Sequence, residues 1–260
     1  MMKSLLVRGM LAGLIAGVLA FGFAYAFGEP PVETSIGLEE TLSHDHAHAH
    51  GTDADAGAGA GQTAEAPEEE LVPRDIQSTV GLLAGVLVYA VAIGGLLSLA
   101  FAFVQGRLGG LRPRVTALLL TGGAFAVVFL IPFLKYPANP PAVGQPGTIG
   151  SRTELYFGFV AVSLLAGILA TVFGRKLADR FGAWNGFLLA AAGYLVVVAL
   201  VAWLMPVVDE VPAAFPASTL WRFRTASIGT QATLWLALGL SFGALAEKSL
   251  TKKAVATAVA

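Results

Sequence analysis

Six uncharged apolar stretches succeed one another along the chain of 260 residues, at 9–27, 76–104, 115–134, 155–173, 184–205 and 227–246. Each reaches the roughly 18 to 20 residues that a helix needs to cross about 30 Å of hydrocarbon. Charges, prolines or both bound every stretch. In lipid the backbone polar groups must be satisfied inside the segment, so runs of this length read as helices. The pattern predicts an all-α, polytopic transmembrane bundle of about six spans, one membrane domain over 1–260. The polar interval 28–75 is expected to be a largely disordered loop. The first stretch has a second reading. Lys3, Arg8, the apolar run and Ala24-Tyr25-Ala26 also fit a cleavable signal peptide, which would leave five spans. Against cleavage, Gly9, Gly13 and Gly17 fall four apart, a stripe that lets another helix approach closely. A partner helix is the expected occupant of that stripe.

Composition agrees with a membrane protein: 56% of residues are hydrophobic, 13% are charged, and the mean hydropathy is +0.73. Basic residues then fix an orientation. Lys3, Arg8, Arg107, Arg112, Arg114, Arg175, Lys176, Arg180, Lys248, Lys252 and Lys253 lie in alternate connections, whereas the remaining connections hold only Arg74, Lys135, Arg152, Arg222 and Arg224. The positive-inside rule makes the richer side cytoplasmic. Both termini are therefore expected in the cytoplasm, and 28–75 outside the inner (plasma) membrane. The formal net charge of -1 offers no basic surplus for phosphates, so nucleic acid is not an expected partner. The lipid bilayer is. With no cysteine in the chain, metal chemistry is left to imidazole, carboxylate, carbonyl or thioether groups.

All four histidines, His44, His46, His48 and His50, occur within SHDHAHAHG at every second position, with Asp45 between the first two. In an extended chain residues two apart share a side. Neutral imidazole is the commonest metal ligand, so the segment reads as a collector of divalent ions. From 52 to 70 the chain is mostly Ala, Gly, Asp and Glu, unable to bury enough surface to fold, which predicts a flexible tether and modest affinity. The Irving–Williams order denies such a site selection by raw affinity. Glu29 and Glu33, beside Gly28-Glu29-Pro30-Pro31, are the carboxylates expected nearest the mouth of the first helix. No resident cofactor and no enzymatic constellation are expected. GALAEKS at 243–249 lacks the glycine and the preceding strand of a phosphate loop.

Other polar groups have blander readings. Lys135-Tyr136-Pro137-Ala138-Asn139-Pro140-Pro141 is stiffened by its prolines and ends a helix, with Tyr136 and Asn139 as candidate neutral oxygen ligands. Asp209-Glu210 is either an acidic turn or a second carboxylate pair. Glu154 is expected to cap the fourth helix, and Trp221-Arg222-Phe223-Arg224 to anchor the sixth at the interface. The six helix interiors contain no Asp, Glu, Lys, Arg or His, although such groups usually mark an ion pathway.

The N-terminal segment with GEPP, the histidine stretch, VPRDIQSTVGLLAGVLVYAVAIGGL and FLKYPANPPAVGQPGTIGSRTELYFGF together resemble the CbtA family of predicted cobalt transporter subunits. The resemblance covers nearly the whole chain. It implies import of cobalt, or a related divalent transition metal, for cobalamin synthesis, with a small single-span histidine-rich partner of the CbtB-like kind. It also implies five spans, one fewer than the hydropathy pattern, and carries over no site residues. The metal candidates are therefore those that the chemistry selects: His44, His46, His48, His50, Asp45, Glu29 and Glu33. The competing expectation is a membrane metal sensor or chaperone that binds ions without transporting them.

Overall fold

The computed structural model describes residues 2–49, 73–107 and 110–259, with side chains for all of these except 42–49, Pro146 and 252–259. Among the described residues six helices are long and apolar enough to cross a membrane, and there is no strand. They are α1 (Met2–Thr41), α2 (Arg74–Val104), α3 (Pro113–Lys135), α4 (Ile149–Phe181), α5 (Ala183–Leu204) and α6 (Ala217–Thr251). The first apolar stretch is one of the six, so the pattern of hydropathy, and not the five spans implied by resemblance, matches the fold. Successive helices run antiparallel. One end of the bundle gathers the basic connections, and the opposite end, called here the histidine end, carries the continuation of α1.

The stripe Gly9, Gly13 and Gly17 packs against the chain's own α2, which corrects the expectation of a partner helix there. Its counterpart on α2 is Ala90, Gly94 and Ser98, also four apart. A Cβ added at Gly9 would collide with the Gly94 carbonyl and Ser98, and one at Gly13 with the Ala90 carbonyl. At Gly17 it would stand 3.0 Å from the Ala90 and Leu87 side chains. Lipid tails are as apolar as leucine, so burial alone does not draw helices together, and close backbone approach supplies the dispersion contact instead. The other face of α1 meets α6, and α3 packs on α6. Leu5, Ala12, Ala16, Leu97, Phe101, Ala117, Leu238, Phe242 and Ala246 form the core of this four-helix unit. Phe101 and Phe242 meet edge to face with centroids 5.1 Å apart.

Helices α4 and α5 form a separate hairpin, turned by Gly182 at φ +83°, a conformation that side-chain-bearing residues avoid. It joins the four-helix unit chiefly along the second half of α3. Proline chemistry explains that joint. Residues Phe125–Leu130 form a π-turn in which Ile131 N–H bonds the Ala126 carbonyl. The Val127 carbonyl thus loses its α-helical donor to its neighbour, and its π-helical donor would be Pro132, which has no N–H. Ser163 of α4 takes the released carbonyl at 2.6 Å, and the Tyr194 hydroxyl of α5 lies 2.8 Å from Ser163 Oγ. Three helices are pinned at one oxygen.

The same logic acts on α1 and corrects the expected start of the loop at 28. The helix does not stop at Gly28-Glu29-Pro30-Pro31. It widens into a π-turn over Ala24–Gly28, where Glu29 N–H bonds the Ala24 carbonyl, and then continues as Glu29–Ala49. Widening accommodates Pro30 and Pro31, whose rings would strike the carbonyls four residues earlier in a regular helix. Residues 50–72, including the expected tether, lie outside the described residues.

Replacing Gly13 by leucine should cost roughly 1–3 kcal/mol by overpacking the seam, whereas Gly22→Leu, whose added Cβ meets nothing within 4 Å, should be neutral. Thermal unfolding in detergent micelles reads the difference; equal midpoints for the two variants would refute the seam.

Candidate functional site

The histidine end is held by three polar fastenings. The antiparallel register of α1 on α2 brings Glu29 opposite Arg74, and Arg74 Nη2 donates to Glu29 Oε2 at 2.6 Å. Both side chains are partly exposed, and pairs of that kind contribute about 0–1 kcal/mol, so the contact matters more for position than for stability. It leaves Glu29 partnered by a cation, and Glu33, one turn on, exposed. Glu154 caps nothing: α4 begins a turn earlier, at Ile149, and Glu154 is exposed.

The second fastening is Glu210. It accepts from the backbone N–H of Gln145 at 3.0 Å and from Thr148 Oγ1 at 2.9 Å, with Arg152 Nε 3.4 Å away. Those two hydrogen bonds, followed by the Arg152 charge, hold its carboxyl below the ordinary carboxylate value against the opposing effect of desolvation. Glu210 therefore ties the 205–216 connection to the start of α4, a part that the bare dipeptide Asp209-Glu210 did not reveal.

The third fastening binds the proline-rich segment. Arg224 Nη2 donates to Asn139 Oδ1 at 2.9 Å, and its Nε donates to the Ala138 carbonyl at 3.3 Å. Tyr136 donates to the Pro206 carbonyl at 2.8 Å, and Lys135 Nζ to the Met205 carbonyl at 3.0 Å. Asn139 and Tyr136 thus tie the segment to α6 and to the 205–216 connection, and Arg224 leaves the interfacial role expected of it to Trp221, which is exposed.

The metal candidates divide as follows. His44, Asp45, His46 and His48 belong to the helical backbone Glu29–Ala49, while His50 lies outside the described residues. The expected extended alternation does not hold for 44–49. Around a helix, positions two apart are separated by about 200° and positions four apart are neighbours. His44 and His48 are one turn apart, as are Glu29 and Glu33, and Glu40 and His44. Among the described side chains no group of three or more His, Asp or Glu could hold a metal ion together.

A family model described as "Probable cobalt transporter subunit (CbtA)" matches residues 2–247. The chain belongs to the CbtA family. No curated protein and no solved structure matches it. As a CbtA protein with six apolar helices it is a multi-pass membrane protein, and its family description makes it one subunit of a cobalt transporter.

Sequence reasoning missed the polar groups inside the bundle. Ser163 and Tyr194 are described above. Gln231, in the middle of α6, accepts from Trp235 Nε1 at 3.2 Å, one turn on in the same helix. A lone amide within the run 227–246 was the available signal.

Because Glu210 is more acidic folded than free, its contribution to stability is complete above the ordinary carboxylate value of about 4.5 and is lost as pH falls through the lower folded value. Glu210→Gln should therefore flatten the loss of thermal stability between neutral pH and pH values below about 4.5. A wild-type and variant difference that stays constant across that range would contradict the assignment.

Proposed function

We propose that this CbtA protein is the membrane-embedded component through which cobalt, or a related divalent transition metal, enters the cell. The histidines 44, 46, 48 and 50 collect the ion outside, with Asp45 beside them. Glu29 and Glu33 receive it at the mouth of the bundle. In this reading both termini are cytoplasmic, the histidine end faces outward, and the protein resides in the inner membrane. The observation that carries the reading is the unbroken helix from the bundle into the histidine segment. On it Glu29, Glu33, Glu40, His44 and His48 recur at spacings of four or seven residues, which for a helix is one strip of backbone. Glu29 gives up Arg74 when a doubly charged ion competes for its carboxylate. The partner, a small single-span histidine-rich protein like CbtB, docks away from the glycine seam, which α2 fills.

One observation favours a second reading, a sensor or chaperone that binds metal without passing it. The interiors of the six spans carry no Asp, Glu, Lys, Arg or His.

Uptake of radiolabelled cobalt separates the two. A host strain deleted for its own copy should regain uptake when complemented with this gene. Replacing all four histidines by alanine should lower uptake several-fold at scarce cobalt and little at saturating cobalt. Ligating imidazole must be unprotonated, so capture should weaken as pH falls through about 6.5. Complemented cells no better than the deletion strain would leave the sensor reading in place of the transporter; equal uptake by the histidine variant at every concentration would reduce the segment to a connection.

A further inference from the structure

Two adjacent prolines in α1 leave a pair of backbone oxygens without donors at the mouth of the bundle. In the π-turn Ala24–Gly28 the Glu29 N–H goes to the Ala24 carbonyl. The Tyr25 carbonyl thus loses its α-helical donor, and its π-helical donor would be Pro30. The Ala26 carbonyl has Pro30 and Pro31 in its two donor positions, and neither carries an N–H. The defect in α3 is built the same way, but there Ser163 fills it at 2.6 Å. Among the described residues no side chain hydrogen-bonds the Tyr25 or Ala26 oxygen; the hydroxyls of the following turns, Thr34 and Ser35, go to the Pro30 and Pro31 carbonyls at 2.9 and 2.7 Å. Tyr25 and Ala26 are both exposed, and the exposed rings of Tyr25 and Phe27 mark the headgroup level. The two oxygens therefore stand where an ion arriving from water meets the bundle.

Helix carbonyls point toward the C-terminal end, here toward the histidine end. Glu29 and Glu33 stand three and seven positions beyond Ala26, on the same strip of helix surface. Side chains on a helix lean back over the turn before their own Cα, a direction that carries the Glu29 carboxylate toward the two oxygens. Arg74 Nη2, 2.6 Å from Glu29 Oε2, already sets a positive charge at this place. We propose that the Tyr25 and Ala26 carbonyls, together with the carboxylates of Glu29 and Glu33, form the entry site at which the divalent cation first exchanges bound water for protein oxygen. This rests on the transporter reading given above and adds to its two carboxylates the ligands that the prolines release. Backbone carbonyls replace hydration water in ion filters, and interrupted helices present them to ions in transporters. Oxygen ligands of this kind suit hard cations and hold a transition metal less tightly than imidazole does, so the site lets its ion go, as a point of passage must. Arg74 is displaced as the ion binds and pairs with Glu29 again as it leaves. The rival account is a proline defect wetted by interfacial water, with Glu29 and Arg74 as a plain fastening.

The test gives the missing donors back. Purified full-length protein with all four histidines replaced by alanine is equilibrated with radiolabelled cobalt, as such and with Pro30→Ala/Pro31→Ala, Glu29→Gln or Arg74→Gln added, and thermal unfolding is followed in parallel. The double alanine variant regains N–H groups at 30 and 31, so the Ala26 carbonyl is spent inside the helix. It should raise the dissociation constant for cobalt about tenfold or more, with a thermal midpoint unchanged or higher, because proline is the costlier residue within a helix. Glu29→Gln should weaken binding about as much, whereas Arg74→Gln removes the competing cation and should tighten it about threefold. A wetted defect predicts the same cobalt binding with and without the prolines, and that result would overturn the site. So would weakening in the double variant that comes with a lowered midpoint, or binding unchanged by Arg74→Gln. Uptake by the complemented deletion strain keeps the two readings apart. Uptake present with binding indifferent to the prolines leaves the transporter and removes this site; binding in the predicted order without uptake leaves a cation site and removes the transporter.

Discussion

The close approach of α1 to α2 governs the rest of the molecule. Small residues every fourth position on both helices let one backbone rest on the other, and a contact that tight admits one register. The register that sets Gly13 on Ala90 also sets Glu29 beside Arg74, some four turns away. It therefore decides where the carboxylate at the mouth of the bundle stands, and it decides the direction in which α1 leaves the bundle toward the histidines. Without apolar solvent exclusion to hold helices together in lipid, this dispersion contact carries work that a leucine-rich core does in water.

Proline supplies the second constraint. In α1 and in α3 it removes a donor and forces a π-turn, yet neither helix ends. The consequences differ with the surroundings. In α3 the released Val127 carbonyl acquires Ser163 and, through it, Tyr194, so a local defect becomes the joint between two helical bodies. In α1 the π-turn precedes Pro30 and Pro31, and the Ala26 carbonyl has a proline at both its α-helical and its π-helical donor position. That oxygen lies one turn below Glu29, on the helix that carries the metal-ligating residue types outward.

Much of this was legible in the sequence. Length and apolarity sufficed for six spans, and the alternation of basic residues separates the two ends of the bundle. The glycine stripe announced a close helix contact, but a stripe does not identify its occupant, and the matching Ala90, Gly94 and Ser98 sat inside a run that reads only as apolar. Gly28-Glu29-Pro30-Pro31 looked like a helix end because proline usually is one; a π-turn, invisible to hydropathy, lets the helix pass. Asn139 and Tyr136 looked available because their partners, Arg224 and the Pro206 carbonyl, are about 70 or more residues away along the chain. Chemistry that depends on distant pairings has no local signature, and the same holds for Ser163 with the Val127 carbonyl.

The absence of cysteine from the chain makes the seam directly testable. Gly17→Cys combined with Ala90→Cys places two sulfurs where a Cβ at 17 stands 3.0 Å from the Cβ of Ala90, near the ~3.8 Å typical of a disulfide. Oxidation of membranes carrying the double variant should cross-link each chain to itself, giving a monomer of altered mobility that reverts on reduction. Cross-linking only between chains, or free labelling of both cysteines by a thiol reagent in the folded protein, would show that another helix occupies the glycine stripe and would contradict the packing of α1 on α2.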